Sequence, residues 1–261
     1  MAKIKEEIDI PFLMQFSIDD FKNKYAGSFM GVTWAFIQPL MTIIIYWFIF
    51  QIGFKSQPVD NYPFILWLVS GLVSWFFISE CITGVTSSLV EYSYLVKKVV
   101  FNINLLPLVR VLSCLLVQIF LVVVTVVLFA IFGYFPDTYY LQLPYYMVYM
   151  VVFMLGIGYC TAALYPFFKD LLQIVNIAMQ FIFWLTPIVW DFEIMPKAVR
   201  KILVFNPFYY IVSGYRNIFV YKEFFWNDWK MGIYYWIVAL LMLVMGRKIF
   251  KKMKIHFADV L

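Results

Sequence analysis

From Phe29 to Phe54 the chain carries no charged residue, and five further apolar stretches follow at about 62–84, 103–134, 143–167, 171–190 and 231–249. A hydrocarbon layer about 30 Å thick takes about 20 helical residues at about 1.5 Å each. The pattern therefore predicts six membrane-spanning helices. Pro58 and Asn61 break the chain after the first stretch, and Pro136 and Asp137 after the third. Ahead of the first stretch, Met14, Ile18, Phe21 and Tyr25 recur at helical spacing, with Gln15, Asp19 and Lys22 on the opposite side. That arrangement predicts an amphipathic helix over 12–25 lying in the membrane interface. Residues 1–28 are charged and amphipathic, so the first apolar run is expected to act as an uncleaved signal-anchor.

A shorter apolar stretch, Ile202 to Tyr215, is broken by Asn206-Pro207 and Gly214. Broken helix at membrane depth is tolerated where protein covers it or where it lines a cavity. Residues 188–220 are accordingly expected to form a re-entrant hairpin of two half-helices dipping from the outer face. The rival is a seventh span, which would place the C-terminal tail outside.

At 261 residues, 64% of them hydrophobic, the chain has no polar interval approaching the about 100 residues of an ordinary nucleotide-binding or catalytic domain. It is expected to be one all-α membrane domain over 1–261. No Gly-x-x-x-x-Gly-Lys-Ser/Thr loop is present, so ATP chemistry would come from another chain. The net charge of +5 resides in bases that flank spans, which points to anchoring beside anionic headgroups and not to nucleic acid. Lys3, Lys5, Lys22 and Lys24 at one end, and Arg247, Lys248, Lys251, Lys252 and Lys254 at the other, place both termini in the cytoplasm. The outward segment 191–230 resists this rule with Lys197, Arg200, Lys201, Arg216, Lys222 and Lys230, although Asp191, Glu193, Glu223 and Asp228 accompany them. Cys81, Cys114 and Cys160 lie in separate apolar stretches and His256 is the single histidine. No metal site or bound cofactor is expected.

A charge at the bilayer centre costs about 2.5–3.5 kcal/mol even on the lenient insertion scale, so Glu80 and Arg110 are the ionisable candidates within spans. Arg110, with Lys97 and Lys98 upstream, is a candidate to attract a phosphate-bearing substrate at the inner face, anchoring being the plainer alternative. Aromatic residues make up 22% of the chain. Trp34, Tyr46, Trp47, Trp75, Tyr159 and Trp184 lie deeper than an interfacial belt explains. Packing is the ordinary reading of such rings. The sharper one is a conduit for sugar, whose C–H faces stack on rings at about 1 kcal/mol each by analogy with aromatic pairs. Pro39 and Pro187 each remove a backbone donor and should kink their helices. Ser87 to Tyr92 continues the helical pattern beyond the second span, and Tyr94 to Val99 reads as a short amphipathic turn where a motor subunit would push.

Taken in order, a set of motifs resembles the ABC-2 type permeases that export polysaccharides. They are Tyr25-Ala26-Gly27-Ser28 with Gly31, Trp34 and Pro39-Leu40; Tyr62-Pro63-Phe64, Ser70-Gly71-Leu72 and Trp75-Phe76; then Ser87-Ser88-Leu89-Val90, Leu95-Val96-Lys97-Lys98-Val99, Phe101 and Leu106-Pro107-Leu108. The second half adds Phe168-Lys169-Asp170-Leu171, Trp184-Leu185-Thr186-Pro187-Ile188, Asn206-Pro207 and Gly214-Tyr215-Arg216. Val100-Phe101-Asn102 departs from the Phe-Pro of many relatives.

The resemblance implies a homodimer in the bacterial cytoplasmic membrane, served by two copies of a cytoplasmic ATPase that uses ATP and magnesium. It implies a channel between protomers for polysaccharide linked to undecaprenyl diphosphate: O-antigen, teichoic acid or capsule. ATPase coupling would fall to 12–25, with Asp19 and Lys22, and to 87–101, with Glu91, Tyr94, Lys97 and Lys98. Trp34, Tyr46, Trp75 and Trp184 would line the sugar path, and Arg110, Lys97 and Lys98 would meet the lipid diphosphate or form an inner gate. No catalytic residue is implied. Two other functions remain open: export of small drug-like molecules, and an integral-membrane enzyme acting on lipid-linked sugar.

Overall fold

The computed structural model describes residues 10–59, 61–96 and 102–261, the side chains of 258 and 259 excepted. Lys97, Lys98 and the end of the expected coupling segment thus lie outside the described residues. In chain order the helices are α1 (Ile10–Lys24), α2 (Trp34–Trp47), α3 (Phe64–Glu91), α4 (Ser93–Val96), α5 (Leu105–Ile131), α6 (Leu143–Leu164), α7 (Leu171–Leu185), α8 (Lys197–Leu203), α9 (Pro207–Arg216), α10 (Trp229–Met253) and α11 (Phe257–Val260). Wider π-helical turns extend α2 through Phe48–Gly53 and α9 through Asn217–Tyr221.

Among the described residues five helical segments are long and apolar enough to cross a membrane: Gly31–Gly53, Phe64–Glu91, Leu105–Ile131, Thr138–Leu164 and Trp229–His256. The expected fifth span differs. Its helix stops at Leu185, and its 15 residues reach about 22 Å. The cause is local: a residue before proline is pushed out of the α region, and Thr186 ahead of Pro187 is extended, at φ −97° and ψ 133°.

The most apolar stretch of α3 is 78% buried, against 11% for that of α2, so α3 is the axis of the bundle and α2 lies at its edge. Along α3, Leu66, Leu68, Leu72, Ile78, Cys81, Val85 and Leu89 are fully enclosed. Helices α3 and α6 run the same way, with Val85 against Gly158 and Thr86 hydrogen-bonded to Thr161 at 2.8 Å. Helix α10 runs parallel to α6, from Trp236 beside Tyr145 to Phe250 beside Tyr159. Two glycines let these backbones meet, because a Cβ on Gly246 would lie 2.3 Å from the Gly156 carbonyl oxygen and one on Gly156 would lie 2.7 Å from Leu243 N. Small residues of this kind drive helix association where lipid removes the hydrophobic incentive. Outward, Ile119, Val123, Val127 and Ile131 leave an exposed apolar stripe along α5, as Ile233, Ile237, Leu240, Leu241 and Val244 do along α10. Such stripes suit hydrocarbon as solvent.

The segment after α7 divides into unlike halves. Helix α8 is exposed, with Ile202 at 73%, whereas α9 buries Ile211, Val212 and Tyr215 completely against α3 and α6. Asn206 caps α9 by accepting from Phe208 N at 3.0 Å, with Pro207 in the first turn.

Replacing Gly246 with valine should force α6 and α10 apart. An overpacked core site costs about 1–3 kcal/mol, and a lowered thermal transition of the detergent-purified protein would register it. An unchanged transition would refute the close crossing.

Candidate functional site

Between α2, α3 and α7 lies a groove of about 850 Å³. Its floor is aromatic. Phe183 stands at the centre, stacked on Tyr46 (centroids 6.2 Å, 19°), tilted against Trp75 (5.5 Å) and edge-on to Trp184 (5.3 Å). Its walls are polar, with the Lys24–Glu80 pair at the α1 end. Gln173, Asn176 and Gln180 follow one another on a single face of α7, facing Gln38 and Thr42 of α2 and Ser79 and Thr83 of α3. The Thr42 and Thr83 hydroxyls turn back on their own helix carbonyls, whereas the four amides have no hydrogen-bonded side-chain partner among the described residues. Pro39 also lines the groove, and its missing N–H frees the Ala35 carbonyl beside it.

At the α1 end a smaller cavity of about 300 Å³, lined by Lys24, Tyr25, Ala26, Ser28, Trp34 and Gln38, shares Lys24, Tyr25 and Gln38 with the groove. The turn that shapes it needs backbone only glycine adopts readily, with φ +86° at Gly27 and +52° at Gly31. Lys24 Nζ pairs with Glu80 at 2.5 Å, both side chains partly exposed. Burial works against the ammonium, yet the Glu80 carboxylate outweighs it, and the Lys24 pKa is raised. The lysine therefore stays charged at neutral pH.

A second polar cluster ties α1 to the bundle. Arg110 of α5 pairs with Glu91 at the end of α3 and lies 3.5 Å from Asp20 of α1, while Tyr92 donates to Asp20 at 2.6 Å. Burial, then the Asp20 carboxylate, push the Tyr92 hydroxyl well above the ordinary phenol range, so it remains a donor. Gly84 leaves room for the arginine stem, since a Cβ there would meet Arg110 Cδ at 3.1 Å. Helix α1 thus has three edges. Leu13, Ser17 and Asp20 are buried on the bundle; of the expected apolar stripe Met14 is exposed, as is Ile10 one turn earlier, whereas Ile18, Phe21 and Tyr25 are half-buried, Phe21 and Tyr25 against the core; Gln15, Asp19 and Lys22 form the polar edge.

At the opposite end Arg216 closes the break after α7. Its guanidinium donates to the Pro187 and Ile188 carbonyls at 2.5 and 2.7 Å and lies 3.6 Å over the Trp67 ring. A side chain on Gly71 would intrude, with a Cβ 3.0 Å from Arg216 Nη2.

A sequence model of the ABC-2 type transporter family matches residues 14–220, which take in most of α1, the groove and the Arg216 clamp. The chain belongs to that family. Two O-antigen export system permease proteins RfbA of Klebsiella pneumoniae are each 28% identical to it over 243 residues, 93% of this chain and 92% of theirs. A protein of the same name from Myxococcus xanthus is 27% identical over 202 residues, covering 77% and 76%.

In this ABC-2 chain the four aromatics singled out from sequence fall in two connected places: Tyr46, Trp75 and Trp184 in the groove, Trp34 in the adjoining cavity. Arg110 does not face an open surface. Its side chain is 6% exposed and held by two carboxylates, so a phosphate would have to displace Asp20 or Glu91. Of the other coupling candidates, Glu91 belongs to the Arg110 cluster, Tyr94 is exposed, Lys22 is exposed, and Asp19 accepts from Gln15 at 3.0 Å. Tyr159 packs on Phe250 and donates to the Asn104 carbonyl. Phe183, the amide row and Arg216 went unassigned in the sequence. The i, i+3, i+7, i+10 spacing of Gln173, Asn176, Gln180 and Phe183 was their available signal.

Replacing Arg110 with leucine strands Asp20 in a buried site. Removing one partner of a buried pair costs about 3–5 kcal/mol, so Arg110→Leu should lower thermal stability sharply. Adding Asp20→Asn should recover part of the loss; no recovery would show that Asp20 is not the group Arg110 neutralises.

Proposed function

We propose that this chain is the permease subunit of an ATP-driven exporter of lipid-linked polysaccharide. The observation that carries the reading is the groove itself, where aromatic rings and unpaired amides share one surface. Saccharides present two kinds of surface, apolar C–H faces for rings and hydroxyls for amides. Contacts that are individually weak and repeated suit a polymer that must bind and still slide. The O-antigen export relatives support the same substrate class.

Six crossings follow if α7 is counted, its short length being offset by the Thr186–Ile188 break and by α9, which together form the re-entrant element of 188–220. Both termini then face the cytoplasm of a bacterial inner membrane, in keeping with the bases at the two ends. The thinly buried α2 leaves the groove open on one side, and a second copy of the chain would complete the path. A cytoplasmic ATPase would act on α1 and on the segment after α3, and the Arg110 cluster joins these two into one unit. The carrier lipid would be undecaprenyl diphosphate.

Copurification with an ATPase, followed by ATP-dependent export of a defined lipid-linked polymer in vesicles, tests the reading. Movement without an ATPase, or movement of small drug-like molecules alone, would overturn it. Hydrogen bonds contribute about 1 kcal/mol each, so replacing Gln173, Asn176 and Gln180 together by leucine should slow polymer export about tenfold or more with assembly intact. Trp75→Ala should also reduce export. Unchanged export by both variants would remove the groove from the path.

A further inference from the structure

We infer that Lys24 is an anion latch at the mouth of the groove, that Glu80 occupies it in the resting chain, and that its ligand is a phosphate headgroup. The inference deepens the transport reading above and rests on it for the route the ligand then takes. Among the described residues lining either cavity, Lys24 is the one cation, and it belongs to both. Around it stand neutral donors and rings, namely Gln38, Ser28, Tyr25 and Trp34. That is the surrounding of a receptor for an anion with an organic substituent, the charge held by the ammonium and the attached group by amide and ring.

The Lys24–Glu80 pair differs in kind from the Arg110 cluster. Arg110 is enclosed and shared between two carboxylates, whereas Lys24 has one, and the side chains of the pair are 35% and 25% exposed. The pair is partly exposed, so a phosphate oxygen can reach the ammonium and take the place of the Glu80 carboxylate. Lysine suits phosphate as a point charge. The site also lies where phosphates are concentrated, because Lys24 ends α1, whose first half leaves the apolar Ile10 and Met14 exposed to the interface. Displacement of Glu80 would free α1 from α3 at this point while the Arg110 cluster still holds it further along.

The permease, copurified with its ATPase and placed in nanodiscs, would be titrated with three probes: a sugar-free polyprenyl diphosphate, phosphatidylglycerol and inorganic pyrophosphate. Loss of one charge-assisted contact corresponds to about a tenfold change in affinity, which is the weakening expected for Lys24→Gln with the probe that binds best. Lys24→Arg should retain binding. Glu80→Gln should tighten it by removing the competing carboxylate, and this arm decides the matter even where Lys24→Gln fails to fold. Preference for the polyprenyl probe, for phosphatidylglycerol or for pyrophosphate identifies the source as carrier lipid, bulk lipid or free phosphate, each sustaining the latch. Equal affinities across all variants, or weakening by Lys24→Gln and Glu80→Gln alike, would overturn it, the latter being the mark of a pair that only holds α1 to α3. If the wild-type complex moves no polymer while the opposed effects persist, the transport reading falls and the latch stands.

Discussion

A polar group at bilayer depth has no water to turn to, and much of the architecture follows from how freed carbonyls and buried charges are given partners within the protein. The break after α7 would leave the carbonyls of Pro187 and Ile188 unsatisfied, and Arg216 covers both. The arginine is itself held over Trp67 and admitted by Gly71. The interruption of α7, the inward course of α9 and the absence of a side chain at 71 are therefore one arrangement. The same logic governs the other end, where Arg110 is tolerable because Asp20 and Glu91 reach it from different helices. In satisfying the charge, they fasten α1 to the ends of α3 and α5.

The groove departs from this rule, and the departure gives it meaning. Gln38, Gln173, Asn176 and Gln180 line the groove between α2, α3 and α7, and their amides are not bonded to one another. Donors and acceptors are left open there beside a floor of rings. The contrast with the far end is informative: buried Gln142 bonds the Glu223 carbonyl and the Phe225 amide at 3.0 and 2.6 Å and is fully engaged in holding two loops together.

The long apolar runs made the helical class and most element positions legible, since charge-free stretches of this length admit few other structures. The ends were less legible because they depend on single residues: Thr186 ahead of Pro187 stops α7 at Leu185, whereas the α3 helix runs on to Glu91. Composition singled out Trp34, Tyr46, Trp75 and Trp184, but Phe183, which three of the rings of the groove touch, is one of 29 phenylalanines and is marked only by sharing a helix face with Gln173, Asn176 and Gln180. Arg110 stood out correctly as an ionisable residue in an apolar run. Its partners did not, because Asp20 is 90 residues away and lies off the apolar stripe that drew attention to α1. Pairing across such distances is settled by packing, which local periodicity does not report.

The meeting of Gly156 and Gly246 has a mechanical corollary. Backbones in direct contact have few side-chain rotamers between them to absorb displacement, so α6 and α10 form the stiff spine of the molecule. Helix α2, sparsely enclosed and carrying a proline that removes one of its hydrogen bonds, and α7, short and cut off by another, are its compliant jaw. Force arriving through α1 would be spent widening the space between jaw and spine, because bending there meets the least resistance.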